Sequence, residues 1–258
     1  MLPTRAMLVN YQAPPDLLTD KTILVTGASE GIGRAVALGF AQHGAVVIAL
    51  DKKQRRLETL YDEITARGSP EPILIVQDLA ELNTGKCRQI AAGVQHDCGR
   101  LDGVLHNAAE LPGLSGLHLW NESDWDRVFA VNLRAPYLLT QALLPLLTAG
   151  NHSSLLFSSA AVGRRGRAYW GAYAAAYGGI ETLVQVLADE LETNTQVRVN
   201  SIDPGPVRTA LRVRAFPGED ASEVPGPESV VPAYLFMMGD ASIDVRGQAI
   251  SLQVPENN

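Results

Sequence analysis

The residues with the clearest chemical meaning are the glycines of Thr26-Gly27-Ala28-Ser29-Glu30-Gly31-Ile32-Gly33. Gly27 permits a tight turn, and the missing side chains at Gly31 and Gly33 let a ligand approach the backbone closely. A helix opening at such a turn offers unpaired N–H groups and the positive end of its dipole to a phosphate. The chemistry implied is binding of a dinucleotide pyrophosphate. Asp51 lies 18 residues after Gly33. A carboxylate there accepts hydrogen bonds from the adenosine ribose hydroxyls and repels a 2′-phosphate. Glu30 adds a second carboxylate, while Lys52 and Lys53 soften that repulsion. The balance favours NAD(H) over NADP(H). The five histidines are scattered without ligand spacing, so no metal site is expected.

These groups must be positioned by regular elements. Residues 22–26 form an apolar, β-branched run that ends at the glycine turn, and residues 31–43 follow with helical spacing. Runs at 45–50, 72–76 and 101–106 alternate with helical patterns at 53–67 and 83–98. The second half continues the alternation. Residues 122–148 read as one or two long helices punctuated at Pro136 and Pro145, and 154–158 as a strand. A long helix over 171–192, a strand over 197–202, a helix near 228–239 and a strand near 247–252 complete it. Buried strand runs alternating with helices predict an α/β fold: a doubly wound parallel sheet of the Rossmann type, in three α/β/α layers. Residues 1–20 read as an N-terminal arm and 21–258 as one domain. The Pro-, Gly- and charge-rich stretch at 204–228 reads as a mobile lid.

Composition narrows the function. The chain has 258 residues, 46% of them hydrophobic, and a net charge of −7. An acidic chain without basic blocks argues against nucleic acid as a partner. No apolar run reaches the roughly 18–20 residues of a membrane span, and the N-terminus lacks a signal-peptide pattern. Cys87 and Cys98 read as reduced thiols, which fits a cytoplasmic protein.

Taken in order, the motifs resemble the short-chain dehydrogenase/reductase family and, within it, the YciK-like members. The resemblance covers about residues 20–252. It rests on the 26–33 turn, Asp78-Leu79, Asn107-Ala108-Ala109 (with Ala109 where the family has glycine), Asn132 after Val131, and Pro204-Gly205 with Thr209. It implies a cofactor site formed by Gly27, Ser29, Glu30, Gly31, Ile32, Gly33, Asp51, Asp78, Leu79, Asn107, Ala108, Tyr173, Pro204, Gly205, Val207 and Thr209. Family chemistry uses a Tyr as general acid or base, a Ser on the substrate oxygen, and a Lys one helical turn after the Tyr that lowers the phenol pKa. Tyr173 matches the Tyr. The Ser position holds Ala160, with Ser158 and Ser159 two and one residues early, and the Lys position holds Tyr177. No lysine follows Lys86, so no shift of alignment restores one. The resemblance therefore implies Tyr173 as proton donor, Asn132 as holder of a water relay and Ser159 as the substitute hydroxyl. Arg164, Arg165 and Arg167 read as a solvated or substrate-facing loop.

Two functions remain open at this point. One is an NAD(P)-dependent oxidoreductase acting on a small carbonyl or alcohol. The other is a non-catalytic dinucleotide-binding protein that has lost the chemistry. The resemblance also implies a homodimer or homotetramer through the helices at 122–148 and 171–192.

Overall fold

The computed structural model describes residues 3–253. Seven parallel strands form one sheet in the order β3-β2-β1-β4-β5-β6-β7. They are β1 (Thr22–Thr26), β2 (Val46–Asp51), β3 (Ile73–Val76), β4 (Gly103–His106), β5 (Ser154–Ser158), β6 (Arg198–Asp203) and β7 (Ala249–Ser251). Every residue of β4, β5 and β6 is buried. A parallel strand covered on both faces favours near-continuous apolar runs, as in β4 and the centre of β5, whereas β6 buries Arg198, Asn200, Ser201 and Asp203 on hydrogen-bond partners. At the β3 edge burial is only partial.

Helices cover both faces. One apolar layer holds α1 (Arg5–Val9), α2 (Gly31–Gln42), α3 (Gln54–Ala66) and α10 (Val231–Met238), anchored by Phe40, Leu57, Tyr234 and Met237. The opposite layer holds α4 (Thr84–Cys98), α5 (Glu122–Phe129), α6 (Ala135–Thr148), the short α7 (Ala161–Arg164) and α8 (Gly171–Glu192), with Leu139, Leu143, Tyr173 and Ile180 at its centre. Each fully buried leucine contributes roughly 1.5–3 kcal/mol. The expected three-layer doubly wound fold is therefore the observed one.

Some expectations change in detail. The helical pattern over 122–148 is interrupted at neither proline. Pro136 sits in the first turn of α6, directly after a π-helical turn, and Pro145 lies inside that helix. The break is a π-helical turn at Ala130–Arg134, which contains Asn132. The N-terminal arm does more than lie on the surface: Leu8 and Leu18 are fully buried in the first layer. Arg5 Nε also donates to the Leu252 carbonyl at 2.8 Å. Within 204–228 the chain forms the short helix α9 (Ala210–Ala215), followed by a 3-10 turn starting at Pro227.

The strand order reverses between β1 and β4, which both pair in parallel with their outer neighbours. The loops leaving their C-terminal ends diverge there and open a crevice.

Candidate functional site

That crevice is a cavity of about 750 Å³. Its walls come from the glycine turn, the loops after β2, β4, β5 and β6, and the start of α8. Gly27 and Gly31 have φ of +68° and +55°, in the left-handed region. A Cβ on Gly27 would lie 2.8 Å from Ala108 Cα, and one on Gly33 only 2.1 Å from the Gly27 carbonyl oxygen. The third glycine thus lets α2 pack directly against its own turn. The Glu30 side chain makes no capping bond to α2. The buried Ser29 Oγ has no partner among the described residues. A helix start with free N–H groups and space that side chains would fill suits a pyrophosphate. Ser29 and Gly33 support this cradle from behind rather than lining it.

At the adenosine end, Asp51, Lys52, Lys53, Asp78 and Leu79 line the cavity. Asp51 is not the free acceptor expected from its position. Its Oδ1 accepts the Lys53 N–H at 3.0 Å and its Oδ2 the Ser29 N–H at 3.4 Å. Glu30 is paired with Lys53 at 2.7 Å and also with Arg56. Asp78 accepts the Ala80 N–H at 2.9 Å and pairs with Arg127 at 3.1 Å. Arg127 also holds Glu110 at 3.0 Å. Burial alone would raise the Asp78 pKa, but the Ala80 N–H and the Arg127 guanidinium bring it below the usual carboxylate value. Arg127 was not anticipated. It pairs across 49 residues with Asp78, a separation no local pattern reveals.

At the other end, Tyr173 and Tyr177 sit one turn apart on α8 and both line the cavity. Their ring centroids are 4.6 Å apart, and both are buried. Burial holds the Tyr173 pKa well above that of a free phenol, reinforced by Tyr177 and by the negative charge of Asp203. Burial pushes Tyr177 up to about 12, partly offset by its hydrogen bond with Tyr173. Both are therefore neutral phenols at physiological pH, able to give a proton and unable to act as standing bases. Asp203, itself buried, accepts the Gly205 N–H at 3.0 Å and the Gln253 amide at 3.1 Å.

Several expected roles are corrected here. Ser159 lines the cavity, but its hydroxyl donates to Glu181 Oε1 at 2.5 Å. Glu181 also accepts from Ser201 Oγ at 3.0 Å and pairs with Arg164 at 3.0 Å. A buried carboxylate needs such donors, and it takes the Ser159 proton away from any substrate. Arg164 is accordingly not a substrate-facing loop residue; it also donates to the Ile250 carbonyl at 2.9 Å. Ser158 is engaged too, with Asn107 Oδ1 at 3.1 Å and the Tyr234 hydroxyl at 2.9 Å. The buried Asn132 side chain accepts the Glu110 N–H at 2.7 Å and donates to the Glu110 carbonyl at 2.9 Å. It clamps the loop after β4 to the π-helical turn. Pro204, Gly205, Val207 and Thr209 line the cavity as expected, with Ile32, Asn107 and Ala108. Among the described residues there is no cluster of three or more His, Cys, Asp or Glu able to hold a metal, and no helix is long and apolar enough to cross a membrane.

A family model described as short chain dehydrogenase matches residues 21–220. The chain is 43% identical over 245 residues to the uncharacterised oxidoreductase YciK of Escherichia coli K12, covering 95% of this chain and 96% of that protein. Among solved structures, a short chain dehydrogenase from Shigella flexneri 2a strain 301, complexed with NADP, is 42% identical, with a TM-score of 0.91 over 93% of this chain and 100% of its own. A short chain dehydrogenase from Escherichia coli CFT073, complexed with NADPH, is also 42% identical, with a TM-score of 0.90 over 93% and 100% of the two chains. The fold, the cradle and these likenesses agree: the chain belongs to the YciK-like short-chain dehydrogenase/reductases, a family of NAD(P)-dependent oxidoreductases.

Proposed function

We propose that this protein is an NADPH-dependent reductase of a small carbonyl compound, with Tyr173 as its proton donor. The observation that carries this reading is a buried, neutral phenol in the same cavity as a phosphate cradle. When bound, the dinucleotide supplies hydride to the carbonyl carbon. Tyr173 gives its hydroxyl proton to the carbonyl oxygen, a step worth roughly 10²–10⁴-fold in rate. Tyr177, whose contact with Tyr173 raises the Tyr173 pKa further, gives little help to the negative charge that develops there. A neighbouring phenol stabilises that charge less than an ammonium does, and each unit of pKa lowering forgone costs about 1.4 kcal/mol. Reduction tolerates this because it starts from the protonated phenol. The non-catalytic alternative gains nothing from the relatives, and a neutral acid in the cavity argues against it.

The NAD preference expected from Asp51 gives way to NADP(H) in this proposal. Two similar proteins were crystallised with NADP or NADPH. The Asp51 carboxylate already accepts from two backbone N–H groups. A 2′-phosphate can draw Lys53 and Arg56 from Glu30, because such exposed pairs are worth only about 0–1 kcal/mol.

The test is NADPH oxidation by the purified full chain over a panel of aldehydes and ketones, with calorimetric titration of NADPH and NADH. Tyr173→Phe should lower turnover at least 100-fold while NADPH still binds. An unchanged rate in that variant removes Tyr173 from the mechanism, and tighter binding of NADH removes the NADP(H) assignment. No turnover by the unaltered protein across the panel would sink the reductase reading.

We also propose a homo-oligomer through the face shared by the π-helical turn, α6 and α8. Its support is an apolar groove that includes Phe129, Leu133 and Leu183, with Tyr137 and Val186 each 46% exposed. Light scattering should give a dimer or larger, and Val186→Asp should shift it toward monomer; a monomeric unaltered protein refutes the assignment.

A further inference from the structure

Beyond Tyr173 the cavity follows a line of aromatic rings toward positive charge. Trp170 lies 5.4 Å from Tyr173, Phe216 lies 6.0 Å from Trp170, and the Arg212 guanidinium sits 4.2 Å above the Phe216 ring. Arg212, Arg214 and Arg167 all line this part of the cavity. Such a gathering is not background in a chain of net charge −7. The lining carboxylates Glu30, Asp51, Asp78 and Glu110 belong to the adenosine end described above, and Asp203, near Tyr173, accepts from the Gly205 N–H and the Gln253 amide.

Arg212 is held fork to fork by Glu219, at 2.7 Å from Nε and 2.6 Å from Nη2. That pair displays the geometry in which a guanidinium takes a carboxylate on this wall. Arg214 differs. It is exposed, and it donates through Nη1 to the carbonyl of Leu111 at 2.8 Å, with no carboxylate partner among the described residues. The bond tethers α9 to the loop after β4, so the guanidinium spans both loops that close the cavity, and its other N–H groups remain for a ligand.

We propose that the substrate has an apolar or aromatic body ending in an anionic group, carboxylate or phosphate. Arg214 anchors the anion, Trp170 and Phe216 flank the body, and the carbonyl lies at Tyr173. The proposal rests on the reductase reading for the reacting carbon, though not for binding of the anion.

The experiment uses unreactive probes, so that binding is read apart from turnover. The full chain, saturated with NADPH, is titrated calorimetrically with 4-phenylbutyrate, its uncharged amide, and 3-phenylpropyl phosphate. At least one anion should bind tenfold or more tightly than the amide, and the tighter of the two identifies the headgroup. Arg214→Gln should close that gap and Arg214→Lys should keep part of it, with folding checked by circular dichroism. Equal binding of acid, phosphate and amide overturns the proposal, as does a gap that survives Arg214→Gln, or no binding of any probe. A gap that closes in Arg214→Gln while no carbonyl compound is turned over would instead sink the reductase reading and leave the anion site standing.

Discussion

Tyr177 stands one helical turn beyond Tyr173, and the two phenols share one buried face of α8. A phenol surrounded by protein loses the hydration that would stabilise its anion, so its pKa rises. Tyr173 is held well above the free phenol value and Tyr177 reaches about 12. The donor form of both is then complete throughout the neutral range. We predict a carbonyl-reduction rate limited by proton donation that is flat from about pH 6 to 9, because neither phenol titrates there. Oxidation of the product alcohol needs the phenolate, and its rate should rise about tenfold per pH unit over the same range. Tyr177→Lys places an ammonium beside Tyr173 and should raise oxidation at pH 7 at least tenfold. Steady-state pH profiles in both directions check this; oxidation already flat by pH 8 in the unaltered protein would show that the phenol is not so raised.

The same scale shows what single residues revealed in advance. Tyr173 was picked out by the family resemblance, which sets a Tyr at this point of the long helix, and its ring lines the cavity. Ser159 was misread because its fate depends on Glu181, one turn past Tyr177, whose buried carboxylate takes the hydroxyl proton. A glutamate within a long helix pattern carries no mark of burial. Arg198 is similar. It reads as an ordinary strand residue, yet its Nη2 donates to the Met237, Met238 and Gly239 carbonyls at 3.0–3.3 Å, and burial lowers its pKa to about 10.

At the scale of the element, the glycine turn and the π-helical turn contrast. The turn at 26–33 was legible because its three glycines stand close together in one short run between a strand and a helix, two of them at positive φ and the third against the turn's own backbone. Gly33 is the tightest, and the 2.1 Å approach of a Cβ to the Gly27 carbonyl leaves only backbone to move. Gly33→Ala should push α2 away from the turn, cost roughly 1–3 kcal/mol of stability and weaken NADPH at least tenfold. Urea denaturation and calorimetry measure the two effects. Unchanged NADPH affinity would mean that the helix start does not hold the phosphates. The π-helical turn was not legible. Asn132 within it is clamped by two bonds to the peptide of Glu110, 22 residues away in sequence, a contact that no periodicity reveals.

At the scale of the whole molecule, the alternation of strand and helix predicted the architecture because every crossover obeys the same handedness. Where the two layers meet the sheet, one buried group links the fold to pH. His106 ends β4, 4.8 Å from the Phe157 ring, with Nε2 in a 2.9 Å hydrogen bond to Thr140 on α6. Its Nδ1 has no partner among the described residues. Burial lowers its pKa from 6.5 to about 3. The unfolded chain therefore binds a proton near pH 6.5 that the folded chain refuses until near pH 3. Between those values the unfolded state carries more protons, so stability falls as the pH falls, by about 1.4 kcal/mol per unit. From pH 7 to 5 this histidine should cost about 2 kcal/mol. Loss of net negative charge over the same interval eases self-repulsion and acts in the opposite direction, so the unaltered protein alone does not isolate the effect. His106→Gln removes the titration and keeps a polar group facing Thr140. Urea denaturation of both proteins at pH 7 and pH 5 should show the unaltered chain losing about 2 kcal/mol more than the variant. Equal losses would mean that His106 gains its proton inside the fold, and that the interior around β4 is wetter than its burial implies.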